Sequence, residues 1–93
     1  PAALLPAGIE DQVELSFRNL ILIVETAGYR LSDAVFVRIF LADFDRDYAG
    51  LNTVYHRYFD DDAAMPGRTT VGVAKLGRDA LVEIDMILHK RGS

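Results

Sequence analysis

One stretch of this chain decides its fold, and it reads Ala34-Val35-Phe36-Val37-Arg38-Ile39-Phe40-Leu41. Its β-branched residues alternate with aromatic residues and an arginine, a pattern typical of a β-strand. Bulky apolar side chains occupy both faces of that strand. The pattern therefore predicts an internal strand of a sheet and not an edge strand.

Helical periodicity lies on both sides of this strand. Residues 8–28 form the first predicted helix, and its apolar positions extend beyond a single stripe. We therefore expect it to be covered on more than one side, by its own sheet or by a neighbour. A second helix is predicted over residues 45–59, with cap candidates just before it. Its inward side chains are expected to be Tyr48, Leu51, Tyr55 and Phe59.

Two further strands are predicted over residues 68–76 and 80–88, joined by a turn as an antiparallel hairpin. The strand–helix–strand step before them favours a parallel pair. The sequence thus predicts an α+β fold, a mixed sheet with two helices on one face. The other face would carry Phe36, Arg38 and Phe40, with Leu81, Glu83, Asp85 and Ile87 or their neighbours. Such an apolar, partly charged face is expected to close against copies of itself.

Composition narrows the class of protein and of partner. A chain of 93 residues, half of them hydrophobic, is expected to form one globular domain. Its net charge of −4 disfavours nucleic acid and anionic membrane surfaces as partners. The sequence has no cysteine, which excludes disulfides and thiol nucleophiles and fits a reducing compartment. No apolar run reaches the length of a membrane span, and we expect a cytoplasmic protein.

Two charged residues are the strongest candidates for chemistry. Arg68 stands at the mouth of the second strand, and its planar guanidinium matches a carboxylate. Glu83 lies in the middle of the third strand, where a carboxylate is unusual. Together they could hold a small carboxylic acid and act on the atom beside its carboxylate. The structural alternatives are an ion pair of Arg68 with Glu83, with Asp85 or with an acidic residue of a neighbouring subunit, and an interface role for Glu83.

The remaining polar candidates are expected to be structural. Asp85 is interpreted as the partner of a basic residue, and Arg38 as paired with Asp85 or Glu83 of a neighbouring subunit. The aspartates at positions 60–62 are expected to form a solvated loop and not a cation site. His56 and His89 lack metal-ligand company, and we expect them at the surface. No metal site is predicted.

Several segments follow one another in a characteristic order: Leu31-Ser32-Asp33-Ala34-Val35, Leu51-Asn52-Thr53-Val54-Tyr55, Pro66-Gly67-Arg68-Thr69-Thr70-Val71 and Leu81-Val82-Glu83-Ile84-Asp85. In their order and spacing they together resemble the Rid (YjgF/YER057c) family of reactive enamine/imine deaminases. Asn52 and Tyr55 match family positions, but helix packing accounts for Tyr55 equally well, and neither receives a catalytic assignment.

The resemblance implies a chorismate-mutase-like (YjgF-type) fold and a homotrimer with clefts between subunits. It implies hydrolysis of 2-aminoacrylate-type enamines and imines to 2-keto acids and ammonia, without a metal or organic cofactor. In that reaction Arg68 would bind the substrate carboxylate and Glu83 would orient the water. Thr70 stands where the family, often with Cys, contributes mainly backbone contacts to the substrate.

Residues 1–93 are accordingly expected to form a single Rid-like domain that lacks the family's N-terminal strand hairpin. The missing hairpin motivates an alternative function, a non-catalytic small-carboxylate-binding or scaffold protein with the same trimeric fold. A ribonuclease, a function also claimed for such proteins, is disfavoured by the acidic balance and by the lack of a basic or aromatic stripe.

Overall fold

The computed structural model describes residues 5–61 and 64–90. Along the chain follow α1 (Ile9–Thr26), β1 (Ala34–Leu41), α2 (Phe44–Tyr58), β2 (Gly67–Gly72) and β3 (Val82–Leu88). Single 3-10 turns precede β1 and β3. Asp62, the last of the three consecutive aspartates, lies outside the described residues. Within those residues, no helix is both long and apolar enough to cross a membrane.

The central strand of the sheet is β1. Strand β2 pairs with it in parallel, and β3 pairs with its other edge in antiparallel orientation, giving the order β2-β1-β3. The prediction of an internal strand is therefore confirmed, with bounds identical to those predicted. The parallel pair and the α+β architecture, two helices packed on a mixed sheet, are confirmed as well.

The predicted hairpin between the last two strands is wrong, because β1 lies between them. The N–H of Val73 donates to the Leu41 carbonyl at 2.9 Å, and that of Ala42 donates to the Leu81 carbonyl at 3.0 Å. The link from β2 to β3 therefore passes the end of β1 and reaches its far edge. This arrangement pairs both edges of the strand that is apolar on both faces. It also ends β2 at Gly72, earlier than predicted.

The core lies between the helices and one face of the sheet. From β1 the side chains of Val37, Ile39 and Leu41 are fully buried. Helix α1 contributes Phe17, whose ring stacks on Tyr58 at 4.6 Å between centroids and meets Tyr55 edge-on at 6.0 Å. Each such aromatic contact stabilises by about 0.5–1.5 kcal/mol beyond the area it buries. These ring contacts connect α1 to α2 and stabilise the position of α2 on the sheet.

Not all apolar side chains of the helices are covered. Leu22 and Ile23 of α1 are 66% and 63% exposed, so the described residues leave this side of α1 uncovered. Leu51, Tyr55 and Phe59 are buried as predicted, but the prediction that Tyr48 points inward is wrong. Tyr48 lies in the first turns of α2, is 40% exposed and stacks on Phe44 with 4.8 Å between ring centroids.

The start of α2 depends on a side-chain cap. Asp43 is the N-cap residue, and its carboxylate accepts a hydrogen bond from the Arg46 N–H at 3.3 Å. Replacing Asp43 with Ala should lower the free energy of unfolding by about 1 kcal/mol, because one backbone donor loses its partner. Urea denaturation measures this change. Asp43→Asn keeps a capping oxygen and should lose much less. Equal losses in the two variants would show that charge, and not the cap, stabilises this end of the helix.

Candidate functional site

Arg68 lies on the helix-covered face of the sheet. It pairs with Val37 of β1, and residues directly opposite in a ladder point to the same face. Val37 is fully buried under the helices. The guanidinium carbon of Arg68 lies 4.4 Å from the ring centroid of Tyr55 and 5.7 Å from that of Tyr48. The register of the parallel pair thus places this cation against two aromatic faces of α2.

The hydrogen bonds of Arg68 are incomplete. Its Nε donates to Oγ1 of Thr70 at 2.7 Å, since both residues point to the same face of β2. Its Nη2 is buried and has no hydrogen-bond partner among the described residues. The suggested ion pair of Arg68 with Glu83 or Asp85 is absent from that part of the chain. A buried donor of this kind costs about 1–3 kcal/mol until an acceptor reaches it.

The ring of Tyr55 packs against the guanidinium of Arg68. Its side chain is only 1% exposed, and its ring packs against Phe17 and Phe59. Burial raises the pKa of the Tyr55 hydroxyl, while the charge of Arg68 opposes that shift. The hydroxyl therefore stays protonated at neutral pH, and it is buried without a partner in the described structure. Two neighbouring residues of the site, Tyr55 and Arg68, thus each have a buried polar atom without a partner among the described residues.

Glu83 lies on the other face of the sheet. It pairs with Phe40 of β1, whose side chain points away from the helices, and Glu83 itself is exposed. The sequence placed Arg68 and Glu83 one hairpin apart. The structure instead separates them by the thickness of the sheet and by β1, so within one chain they cannot converge on one small molecule.

Arg38 and Asp85 also lie on this open face. The guanidinium Nε and Nη2 donate to the two carboxylate oxygens of Asp85 at 2.9 and 2.7 Å. The interpretation of Asp85 as a structural partner is confirmed. Arg38 thus pairs with Asp85 of its own chain, because register places Asp85 directly opposite it in the same sheet, and a contact with a neighbouring subunit stays a prediction. The hydrogen bond from Arg38 holds the pKa of Asp85 below its usual value.

A groove of about 790 Å³ lies elsewhere, between α1 and the outer edge of β3. Glu83 lines it beside Gln12, Leu15 and Val82, whereas Arg68 does not. The two edge strands lie about 10 Å apart across β1. The groove is therefore separate from the Arg68 cluster, which we define as Arg68, Thr70, Tyr48 and Tyr55.

Comparison with known proteins identifies the family. The family model described as "Endoribonuclease L-PSP" matches residues 2–90 of this chain. The chain belongs to this family. Its relatives include proteins named for imine chemistry, so the resemblance to the Rid deaminases is confirmed.

Two members of the L-PSP family give the scale of the similarity. The Escherichia coli K12 protein named "Putative reactive intermediate deaminase TdcF" is 38% identical over 84 residues, which make up 89% of this chain and 64% of TdcF. The 2-iminobutanoate/2-iminopropanoate deaminase of Dermatophagoides farinae is 39% identical over 86% of this chain and 60% of its own. The chain thus spans somewhat less than two thirds of these curated relatives.

Solved structures agree with the fold. A "putative endoribonuclease" of Thermotoga maritima superposes with a TM-score of 0.88 at 38% identity, covering 96% of this chain and 68% of its own. The structure of E. coli TdcF with bound serine superposes with a TM-score of 0.83 at 37% identity, covering 91% of this chain and 67% of its own.

The sequence predicts only part of the Arg68 cluster. Tyr48 and Tyr55 are predicted as inward side chains, and their contact with Arg68 is not, although their spacing of seven residues places them on one side of α2. Thr70 was assigned a backbone role, although the i, i+2 alternation of a strand already puts its hydroxyl beside Arg68. His56 and His89 are exposed, as predicted.

Asp85 makes the stability of this face depend on pH. A carboxyl whose folded pKa is lowered stabilises the fold above its unfolded pKa near 3.8, and this contribution is lost as pH falls through the folded value. We expect Asp85→Asn to unfold at lower urea than the wild type at pH 7, with the difference shrinking below pH 4. Urea curves at pH 7, 5 and 3 measure it. A difference that does not depend on pH would exclude the ion pair as its cause.

Proposed function

We propose that this chain hydrolyses small enamine or imine intermediates of the 2-aminoacrylate type to 2-keto acids and ammonia. The observation that carries the proposal is the buried, unpartnered Nη2 of Arg68, held ready beside Tyr55. The names of the relatives, a reactive intermediate deaminase and a 2-iminobutanoate/2-iminopropanoate deaminase, supply the substrate class.

Arg68 binds the carboxylate of the substrate. A carboxylate offers oxygens to the unsatisfied N–H groups, and such charge-assisted bonds are among the strongest that a side chain forms. The ring of Tyr55 and the surrounding core keep water from one side of the guanidinium, which strengthens the attraction. The serine bound in the structure of TdcF is itself a small carboxylate and fits this ligand class.

Glu83 of a second copy completes the site. Since Arg68 and Glu83 lie on opposite faces of one sheet, a shared ligand requires two chains. The open face carries Phe36, Phe40 and the 60% exposed Ile87, and an apolar face of this kind is suited to association. We propose that copies associate through this face as a homotrimer, with clefts between subunits.

The reaction needs one water molecule, both protons of which end on the nitrogen. The Glu83 carboxylate takes a proton from water as the oxygen attacks the carbon of the C=N bond, whose electron pair moves to nitrogen. Glu83 returns that proton to the nitrogen, which gives the neutral carbinolamine. Glu83 then takes the proton of the new hydroxyl group and passes it to the nitrogen as the C–N bond breaks, so that the C=O bond of the 2-keto acid forms and ammonia leaves. An enamine enters this sequence after tautomerising to the imine. General acid–base catalysis of this kind contributes about 10²–10⁴-fold in rate.

The first test is ammonia release from 2-aminoacrylate, measured above the spontaneous rate. Arg68→Lys keeps the charge but loses the planar fork, and should raise KM by about 10-fold to 100-fold. Glu83→Gln should lower kcat by about 10²–10⁴-fold with little change in KM. Arg57→Lys, an exposed change on α2, serves as the matched control and should behave as the wild type.

Two results would overturn this assignment. Wild-type turnover by Arg68→Ala would remove Arg68 from the mechanism. Binding of 2-oxobutanoate that depends on Arg68, without turnover by the wild type, would favour the non-catalytic carboxylate-binding module instead.

A mixing experiment tests whether the site is shared. Arg68→Ala and Glu83→Gln chains, unfolded and refolded together in equal amounts, should recover about one quarter of the wild-type sites if each site draws the two residues from different copies. Each variant refolded alone should stay inactive. If both residues came from one copy, mixing would restore nothing.

A ribonuclease activity, named in the family description, is less well supported by this chain. Ribonucleic acid binding rests on neutralising phosphates, whereas the net charge here is −4 and the sequence pI is about 4.9. Nε of Arg68 is engaged by Thr70, so its two Nη groups remain to bind one carboxylate. The Arg68 cluster contains no second basic residue that could bind a phosphate. We therefore favour the small carboxylate as ligand.

A further inference from the structure

Arg68 uses its hydrogen-bond donors differently from Arg38 and Arg46. Arg38 and Arg46 each meet a carboxylate side-on, donating from Nε and Nη2 to the two oxygens of Asp85 and Asp47. In Arg68 the Nε is already engaged, because it donates to Oγ1 of Thr70 at 2.7 Å. The other two arginines bind a carboxylate through Nε and Nη2 together. In Arg68 one donor of that side-on edge, Nε, is therefore already occupied.

We propose that Thr70 is a positioning residue, which selects how the substrate carboxylate meets Arg68. This inference rests on the proposed function of Arg68. With Nε taken by Thr70, a bidentate carboxylate can bind only end-on, across Nη1 and Nη2. Nη2 is the buried donor without a partner among the described residues, so the end-on edge is also the one that gains most from a ligand.

Tyr55 fixes the remaining freedom of the guanidinium. Its ring face lies 4.4 Å from the guanidinium carbon and sets the plane of the fork, while Thr70 sets the rotation within that plane. Phe17 and Phe59 hold the ring of Tyr55 in the core. Plane and rotation together give the carboxylate, and hence the imine carbon beside it, a single orientation toward the water.

The test compares Thr70→Val with Thr70→Ser. Valine matches threonine in shape but cannot accept a hydrogen bond, so Nε is released and side-on binding becomes available. Carboxylate binding persists in a second orientation, and we expect kcat to fall by about 10-fold to 100-fold, as misplacement by an ångström does, while KM changes less than about threefold. Thr70→Ser keeps the hydroxyl and should restore kcat. Thr53→Val makes the same chemical change at an exposed position of α2, outside the Arg68 cluster and the open face, and is the matched control.

A second readout does not depend on activity. In the ligand-free protein, the Nε–H proton of Arg68 should exchange slowly with water because it is hydrogen-bonded, and nitrogen-15 NMR should show faster exchange in Thr70→Val but not in Thr70→Ser. Thermal unfolding of all three variants checks that they fold.

The outcomes separate this inference from the function on which it rests. An active wild type with unchanged kcat in a folded Thr70→Val overturns the role of Thr70 alone. Unprotected Nε–H in the wild type overturns it as well. A wild type that neither binds 2-oxobutanoate nor turns over 2-aminoacrylate overturns both, even when the Nε–H is protected.

Discussion

The register of β1 is the constraint on which the rest of this structure depends. Both β2 and β3 pair with β1, so its alternation decides which of their side chains face the helices. Val37 brings Arg68 to the covered face, and Phe40 leaves Glu83 on the open one. A slip of one residue in either pairing would exchange the two faces. The separation of cation and carboxylate follows from this parity, and the proposed sharing of the site between two copies rests on it.

The helices determine which side chains surround Arg68 on the covered face of the sheet. The aromatic contacts of Phe17 connect α1 to α2 and set the position of the Tyr55 ring. That ring then meets the guanidinium that β2 delivers from the sheet side. Core packing and site geometry are therefore one structure, because the same ring serves both. The guanidinium of Arg68 is held by packing against the ring of Tyr55 and by its hydrogen bond to the hydroxyl of Thr70.

Much of the fold could be predicted from local pattern, and the site only in part. The internal strand was found residue for residue because both of its faces are apolar, and α2 was found because its stripe and its cap agree. The strand–helix–strand order also predicted the parallel pairing of β1 with β2. It did not predict the partner of β3, because alternation within a strand does not reveal which edge it joins. For the same reason, Arg68 and Glu83 were identified as residues but not as occupants of opposite faces. Tyr48 was misplaced because its position near the start of α2 puts it beyond the packed core.

The order of elements along the chain has a consequence for synthesis. Both partners of β1 come after it in the sequence, and Arg38 waits for Asp85, 47 residues later. At ribosomal rates of about 5–20 residues per second, the complete sheet cannot form until about 2–10 s after β1 is made. Until β2 is made, β1 is an unpaired strand that is apolar on both faces, and one of its edges stays unpaired until β3 follows. A segment of this kind is prone to aggregate. Helix α1 is synthesised before β1, so its apolar side chains are available to cover the newly made strand.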